Sequence, residues 1–209
     1  MRFVPSDNPV VDVIFPLFGS RLPLDHGYAL FGALARVIPA LHEEPRWGVH
    51  PVAGVRCGDA ELAVTSRSRV MLRVPLDDLR RLSPLAGAVL DLDGWRLHLG
   101  LPQFNAIAPK DRLWARLVTI KGFLDEPATF AEALRRQITA SDHAGPHPSH
   151  VEVDVGRRRV LRIKDRTVVG FSVGLRALDE QTSLRIQYCG LGGRRHMGAG
   201  IFVPSGRRV

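Results

Sequence analysis

Strand-like and helix-like segments follow one another in an order that occurs twice along this chain, and this repeat limits the possible folds more than composition does. In the first half, a β-branched apolar run precedes an amphipathic stretch, and further strand-like runs and a second amphipathic stretch follow. The second half repeats the order. Two copies of β-α-β-β-α-β predict an α+β protein of two tandem ferredoxin-like domains with antiparallel sheets. We place these domains at residues 1–105 and 106–209.

The first half contains the clearest local signals. Asp25 is placed to cap the first helix, and Pro39 interrupts that helix one turn before its end near Leu41. Asp93-Gly94 separates two apolar runs and predicts a hairpin. The predicted elements are a strand at 10–18, a helix at 25–41, strands at 49–55, 61–65 and 69–74, a helix at 76–85, and hairpin strands at 89–92 and 95–99.

The second half has a clear amphipathic helix, because Phe130, Leu134 and Ile138 recur every four residues. The segment 141–149 is rich in proline and histidine and predicts a loop. The remaining predicted elements are a strand at 114–123, a helix at 126–139, strands at 151–155, 160–163 and 168–175, a helix at 179–189, and a last strand at 201–203.

Positive charge is concentrated near the C-terminus. The chain has 29 Lys and Arg against 21 Asp and Glu, a net charge of +8, and residues 150–209 alone carry +7. Only three of the basic residues are lysines. A GC-rich genome also enriches arginine, but it does not explain the uneven distribution. Arginine binds phosphate through two nitrogens and stacks on bases, so the pattern predicts a nucleic-acid partner.

Other classes of protein fit the sequence poorly. Cys57 and Cys189 stand alone, without the spacing of a zinc ribbon or a disulfide framework. No apolar run reaches the roughly 18 residues of a membrane span, and no signal-peptide pattern is present. We therefore expect a soluble cytoplasmic protein that needs no metal, cofactor or membrane.

The glycine-rich segment 190–200, GLGGRRHMGAG, is the most specific motif. It departs from a P-loop, because Ala199-Gly200 stand where Lys-Ser/Thr is required, and from a dinucleotide fingerprint, because Arg195 replaces a glycine. The glycines could serve packing alone. Two arginines and a histidine among them favour a phosphate-binding role instead.

This motif lies in the run SLRIQYCGLGGRRHMGAGIFVP, which resembles the C-terminal signature of CRISPR-associated repeat-processing endoribonucleases of the RAMP superfamily. The resemblance extends to VVGFSVGLRALDEQTSL upstream, to WARLVTIKGF in the middle and to LPLDHGYALFGALARVIPALH near the N-terminus. It implies two ferredoxin-like domains. It also implies metal-independent cleavage of CRISPR precursor RNA, in which a ribose 2′-OH attacks the phosphate and leaves a 2′,3′-cyclic phosphate and a 5′-OH. The implied partners are a CRISPR repeat RNA hairpin and other subunits of a CRISPR interference complex, with the chain a monomer or a homodimer.

The same resemblance suggests catalytic residues. His42 stands where many relatives carry their catalytic histidine, and His26 is a second candidate because some relatives place it near the start of the helix. Histidine suits proton transfer at neutral pH. Relatives often have a lysine shortly after the helix histidine, whereas this chain has Arg46 there, and Lys121 is the alternative cation.

RNA-binding candidates fall in two segments. The glycine-rich segment and a basic hairpin, whose alternative interpretation is a solvated turn, supply Gly192, Gly193, Arg194, Arg195, His196, Gly198, Arg157, Arg158, Arg159, Arg162 and Lys164. The rival function is a non-catalytic RNA-binding subunit of a CRISPR complex. The feature that separates the two is whether His42 or His26 faces the RNA cleft formed with Arg194 and Arg195.

Overall fold

The computed structural model describes residues 8–123, 126–140 and 150–205. They form two main antiparallel sheets, each with its own buried apolar cluster, and a small third sheet of three short strands. The predicted α+β fold with antiparallel sheets is confirmed. Within the described ranges, every helix is too short or too polar to span a membrane. The predicted loop at 141–149 lies outside the described residues.

The elements of the first half are β1 (Val10–Phe18), β2 (Arg21–Pro23), α1 (Gly27–Val37), β3 (Gly48–Val49), β4 (Val55–Cys57), β5 (Glu61–Ala63), β6 (Arg69–Pro75), β7 (Val89–Leu92), β8 (Trp95–Leu99) and β9 (Gln103–Ala106). The first sheet has the strand order β3-β6-β1-β8-β7, and β9 also pairs with β1. The small sheet has the order β2-β5-β4.

Strand β1 and helix α1 form the centre of the first half. Alternate residues of β1, including Phe15 and Leu17, are buried and share one apolar cluster with Leu34 of α1. The helix ends at Val37, and Pro39–His42 continue as a single 3-10 turn. Proline has no N–H to extend the helical ladder, so α1 stops one turn early, as the position of Pro39 predicts.

The predicted helix cap at Asp25 is wrong. His26 precedes α1 and makes no capping hydrogen bond through its side chain. The Asp25 carboxylate instead accepts a hydrogen bond of 2.8 Å from the backbone N–H of Arg162 in the second half. Asp25 thus connects the two halves, which local sequence could not indicate.

Two other first-half predictions need correction, and one strand was missed. The predicted strand 49–55 is split into β3 and β4, which belong to different sheets, and Leu76–Leu85 is a 3-10 segment containing Pro84. Strand β9 was not predicted, because all four of its residues are exposed and show no apolar alternation. The hairpin of β7 and β8 is confirmed, with φ of 54° at Asp93 and 96° at Gly94, as a tight hairpin turn requires.

The elements of the second half are β10 (Leu113–Val118), α2 (Pro127–Ala140), β11 (Glu152–Ile163), β12 (Arg166–Arg176), α3 (Glu180–Cys189) and β13 (Val203–Pro204), with a 3-10 turn at Arg195–Met197. The four strands form the second sheet, in the order β11-β12-β10-β13. The predicted strand 114–123 ends at Val118. The predicted strands 151–155 and 160–163 are one strand, continuous through a register shift between Val155 and Arg158.

A buried arginine joins the two halves. Arg73 of β6 lies opposite Asp12 of β1 in the sheet register, and its Nε and one terminal nitrogen each donate to the Asp12 carboxylate at 2.8 Å. Its other terminal nitrogen donates to the carbonyl oxygens of Gln187 and Phe202 in the second half, at 3.0 and 2.6 Å. His50 Nε2 lies 3.3 Å from the same carboxylate. These bonds fix how the second half sits on the first sheet.

Candidate active site and nucleic-acid interface

The glycine-rich loop, residues 190–200, is anchored to the second sheet through its backbone. The N–H of Gly193 donates to the Thr119 carbonyl at 3.0 Å, and the N–H of Gly200 donates to the Leu117 carbonyl at 2.8 Å. Gly192 adopts φ of +75°, and a Cβ there would stand 2.4 Å from the Thr119 oxygen. Some of these glycines therefore serve close packing, as the alternative interpretation of the motif supposed.

The same loop reaches across to the first half. The Met197 carbonyl oxygen lies 2.5 Å from where a Cβ on Gly27 would be, at the start of α1. Gly198 is buried beside Pro51. His196 donates from Nε2 to the Glu44 carbonyl oxygen at 2.8 Å. The loop thus places its histidine next to the segment that carries His42.

Two histidines share one aromatic ring. The His196 ring is stacked on Phe31 of α1, with centroids 5.8 Å apart and planes 5° from parallel. The His42 ring meets the edge of Phe31 at 4.9 Å and 77°. His42 is exposed and His196 is half-buried. His196 is distant in sequence from Phe31 and His42, and no local pattern connects the two histidines through this ring.

Burial and neighbouring charges determine the pKa of His196. Burial lowers the pKa of its imidazole below the ordinary value of 6.5, and the nearby positive charges of Arg195 and His42 act in the same direction, against the hydrogen bond to Glu44. The imidazole is therefore neutral at pH 7.

His26 lies in a different environment. Its side chain is 2% exposed, its Nδ1 donates to the Pro23 carbonyl oxygen at 3.0 Å, and its Nε2 accepts the backbone N–H of Val52 at 2.9 Å. Burial lowers the pKa of His26, so the ring is neutral and both nitrogens are already used inside the protein.

The two candidate cations have different neighbours. Arg46 is exposed and lies 4.0 Å from the Glu44 carboxylate and 3.9 Å from that of Asp78. Lys121 lines a cavity of about 540 Å³ together with Gly192, Gly193 and Arg194. Arg46 thus lies in the segment that follows His42, and Lys121 lies beside the glycine-rich loop.

Arg194 and Arg195 have opposite environments. Arg194 is exposed, in a left-handed conformation with φ of 66°. Arg195 is 8% exposed, and none of its side-chain nitrogens has a hydrogen-bond partner among the described residues. Burial, together with the positive charge of Arg73, lowers the pKa of Arg195 to about 10. The Arg195 side chain thus lies inside the protein, whereas the expected RNA contact requires it at the surface.

The basic hairpin is formed by β11 and β12, with the turn at Lys164. Its basic side chains are exposed and form no ion pair with the described residues; they are Arg157, Arg158, Arg159, Arg162, Lys164 and Arg166. Arg157 to Arg159 lie within β11 and not in a turn. Exposed positive charge without ion-pair partners forms the kind of surface that attracts a polyanion.

Comparisons with known proteins agree on one family. A family model described as Cas6 Crispr matches residues 11–207. The CRISPR-associated endonuclease Cas6 of Myxococcus xanthus (strain DK1622) is 45% identical over 197 residues, covering 94% of this chain and 82% of that protein.

Solved structures agree on the fold. A structure described as CRISPR associated protein Cas6 has a TM-score of 0.71 at 13% identity, over 95% of this chain and 100% of the other. A protein from a Cas6-related gene of Pyrococcus furiosus has a TM-score of 0.67 at 10% identity, over 96% and 100%. The family model and the Myxococcus relative together show that this chain belongs to the Cas6 family of CRISPR-associated proteins.

Proposed function

We propose that this chain is a metal-independent endoribonuclease that binds CRISPR repeat RNA and cuts precursor transcripts into guide RNAs. One observation carries the proposal: the exposed His42 ring and the His196 ring from the other half meet at Phe31. The Myxococcus relative is itself named an endonuclease, which supports the same activity here.

The proposed reaction is attack of a ribose 2′-OH on the adjacent phosphate. The O2′–P bond forms and the P–O5′ bond breaks, which leaves a 2′,3′-cyclic phosphate and a 5′-OH. A base must take the 2′-OH proton and an acid must protonate the leaving O5′. We propose His42 for one of these transfers, since its imidazole is exposed beside the loop.

A cation must also stabilise the extra negative charge of the phosphorane. We propose Arg46, because its exposed guanidinium lies in the segment that follows His42, held near Glu44 and Asp78. Lys121 is proposed as an RNA contact, because it shares its cavity with Gly193 and Arg194. The exposed basic hairpin then holds the flanking RNA.

We propose that the two sheets are two ferredoxin-like domains. In the second half, the strand order β11-β12-β10-β13 with α2 and α3 in the crossovers supports this assignment. Strand β9 ends at Ala106 and pairs with β1, while β10 belongs to the second sheet. These pairings support a boundary directly after β9, within one residue of the expected division.

His26 is proposed to be structural. His26→Ala would leave the Val52 N–H and the Pro23 oxygen unpaired in the interior, so we expect the free energy of unfolding to fall by about 1–3 kcal/mol. Because the folded-state pKa of His26 is lowered, its contribution is present above about pH 6.5 and is lost as the pH falls. Urea denaturation at pH 8 and pH 5 measures both effects, with exposed His98→Ala as the control.

The cleavage rate of folded His26→Ala should match wild type. A large loss of cleavage with unchanged stability would instead return His26 to the catalytic site.

The basic hairpin gives a second prediction. Combined replacement of Arg157, Arg158 and Arg159 by alanine should weaken RNA binding and reduce the slope of log K against log salt by about 2 to 3, because each phosphate contact releases counterions. Filter binding between about 50 and 200 mM salt measures the slope. The triple lysine variant keeps the charge and should keep most of the slope; an unchanged slope in the alanine variant would place the hairpin away from RNA.

The test of the function itself is cleavage of the cognate repeat RNA in EDTA. We expect a single cut, and no cut when the ribose at the scissile position is 2′-deoxy. A wild-type protein that binds the repeat tightly without cutting it would favour the rival function, a non-catalytic RNA-binding subunit of a CRISPR complex. Loss of binding in the presence of unrelated competitor RNA would argue against repeat recognition.

A further inference from the structure

We propose that His196 is a second catalytic residue, whose Nδ1 takes the proton from the attacking 2′-OH while His42 protonates the leaving O5′. This assignment rests on the proposed function and divides the two proton transfers between the two halves of the chain.

The hydrogen bond to Glu44 determines which His196 nitrogen is available. Nε2 lies 2.8 Å from the Glu44 carbonyl oxygen, and a carbonyl can only accept, so Nε2 carries the proton in the neutral ring. Nδ1 then has a free lone pair, and no described residue donates to it. A base with its second nitrogen held by a backbone carbonyl has a fixed tautomer and a fixed orientation.

The position of the His196 ring, like its tautomer, suits a general base. Stacking on Phe31 holds the ring plane, and the ring remains half-buried rather than enclosed. The lowered pKa of His196 keeps it neutral at pH 7, as a base must be before the reaction. His26 lacks this property, because both of its nitrogens are occupied inside the protein.

The proton balance closes without a further reactant. Nδ1 of His196 gains the 2′-OH proton as the O2′–P bond forms. The electron pair of the P–O5′ bond stays on O5′, which takes a proton from the protonated His42 imidazole. Afterwards His196 is protonated and His42 is neutral, and exchange with water restores both.

Two variants of His196 distinguish a role in catalysis from a role in anchoring the glycine-rich loop. Glutamine places an amide nitrogen close to where His196 has Nε2, so His196→Gln can still donate to the Glu44 carbonyl but cannot accept the proton. We expect His196→Gln and His196→Ala both to slow single-turnover cleavage by about 10²–10⁴-fold. Binding of a non-cleavable 2′-deoxy repeat RNA should fall far less than cleavage does in His196→Gln, because this variant keeps the bond to Glu44 that anchors the loop. Full cleavage by His196→Gln would overturn the proposal and leave His196 as an anchor of the loop.

A sulfur substitution then assigns base and acid. In RNA with a bridging 5′-sulfur at the scissile bond, the leaving thiolate needs no protonation. We expect this substrate to restore most of the activity lost in His42→Ala but to leave His196→Gln about 10²-fold or more below wild type. Rescue of both variants, or of His196→Gln alone, would overturn the assignment. If the wild type cuts neither substrate, the proposed function itself has failed, which is a distinct result.

Discussion

Alanine in place of His42 is expected to slow cleavage of the repeat RNA by about 10²–10⁴-fold, the usual contribution of a general acid or base. His42 is exposed and its ring only touches the edge of Phe31, so its loss removes a proton-transfer group without opening the core. The melting temperature and the affinity for 2′-deoxy repeat RNA should therefore stay close to wild type. Single-turnover cleavage with saturating enzyme isolates the chemical step.

His98→Ala is a suitable control for this measurement, because His98 is also an exposed histidine and lies on β8 of the same half. It should cleave at the wild-type rate. If His42→Ala cleaves normally, the catalytic assignment of the His42 segment is wrong, even if the endonuclease function stands.

Replacing Arg73 with methionine is expected to lower the free energy of unfolding by about 3–5 kcal/mol, the cost of removing one partner from a buried ion pair. The Asp12 carboxylate would lose its two bonds of 2.8 Å, and the carbonyls of Gln187 and Phe202 would lose their donor. Arg21→Met is the matched control. Its pair with Glu61 is exposed, so it should cost at most about 1 kcal/mol.

Two further measurements test the buried pair. Asp12→Leu combined with Arg73→Met should be less destabilising than Arg73→Met alone, because no uncompensated charge remains. Burial opposes ionisation of Asp12, but the hydrogen bonds from Arg73 and His50 outweigh it and hold the Asp12 pKa below its ordinary value of 3.8. The wild type therefore loses stability as the pH falls below about 4, and the double variant should lose less. An Arg73→Met protein as stable as Arg21→Met would contradict this account.

Local sequence identified most elements because their signals are local. A β-branched apolar run predicted β1, a four-residue period predicted α2, and Asp93-Gly94 predicted the hairpin, whose turn has positive φ angles. Predictions failed where neighbours distant in sequence decide the outcome. Asp25 bonds to Arg162 rather than capping its own helix, and β9 is a strand only because β1 offers it an edge.

The sequence by itself determined the α+β class, the concentration of positive charge, the glycine-rich signature and the importance of His42 as a candidate. The first three depend on residue types and their spacing along the chain, whereas His42 became a candidate through the resemblance to the repeat-processing endoribonucleases. Only the tertiary structure decided which candidates meet. It enclosed His26 and Arg195 in the interior, and it brought His196 across to Phe31 and His42. The physical reason is that these contacts depend on how the two halves of the chain dock. Arg73 fixes that docking, because it bonds to carbonyl groups more than a hundred residues away.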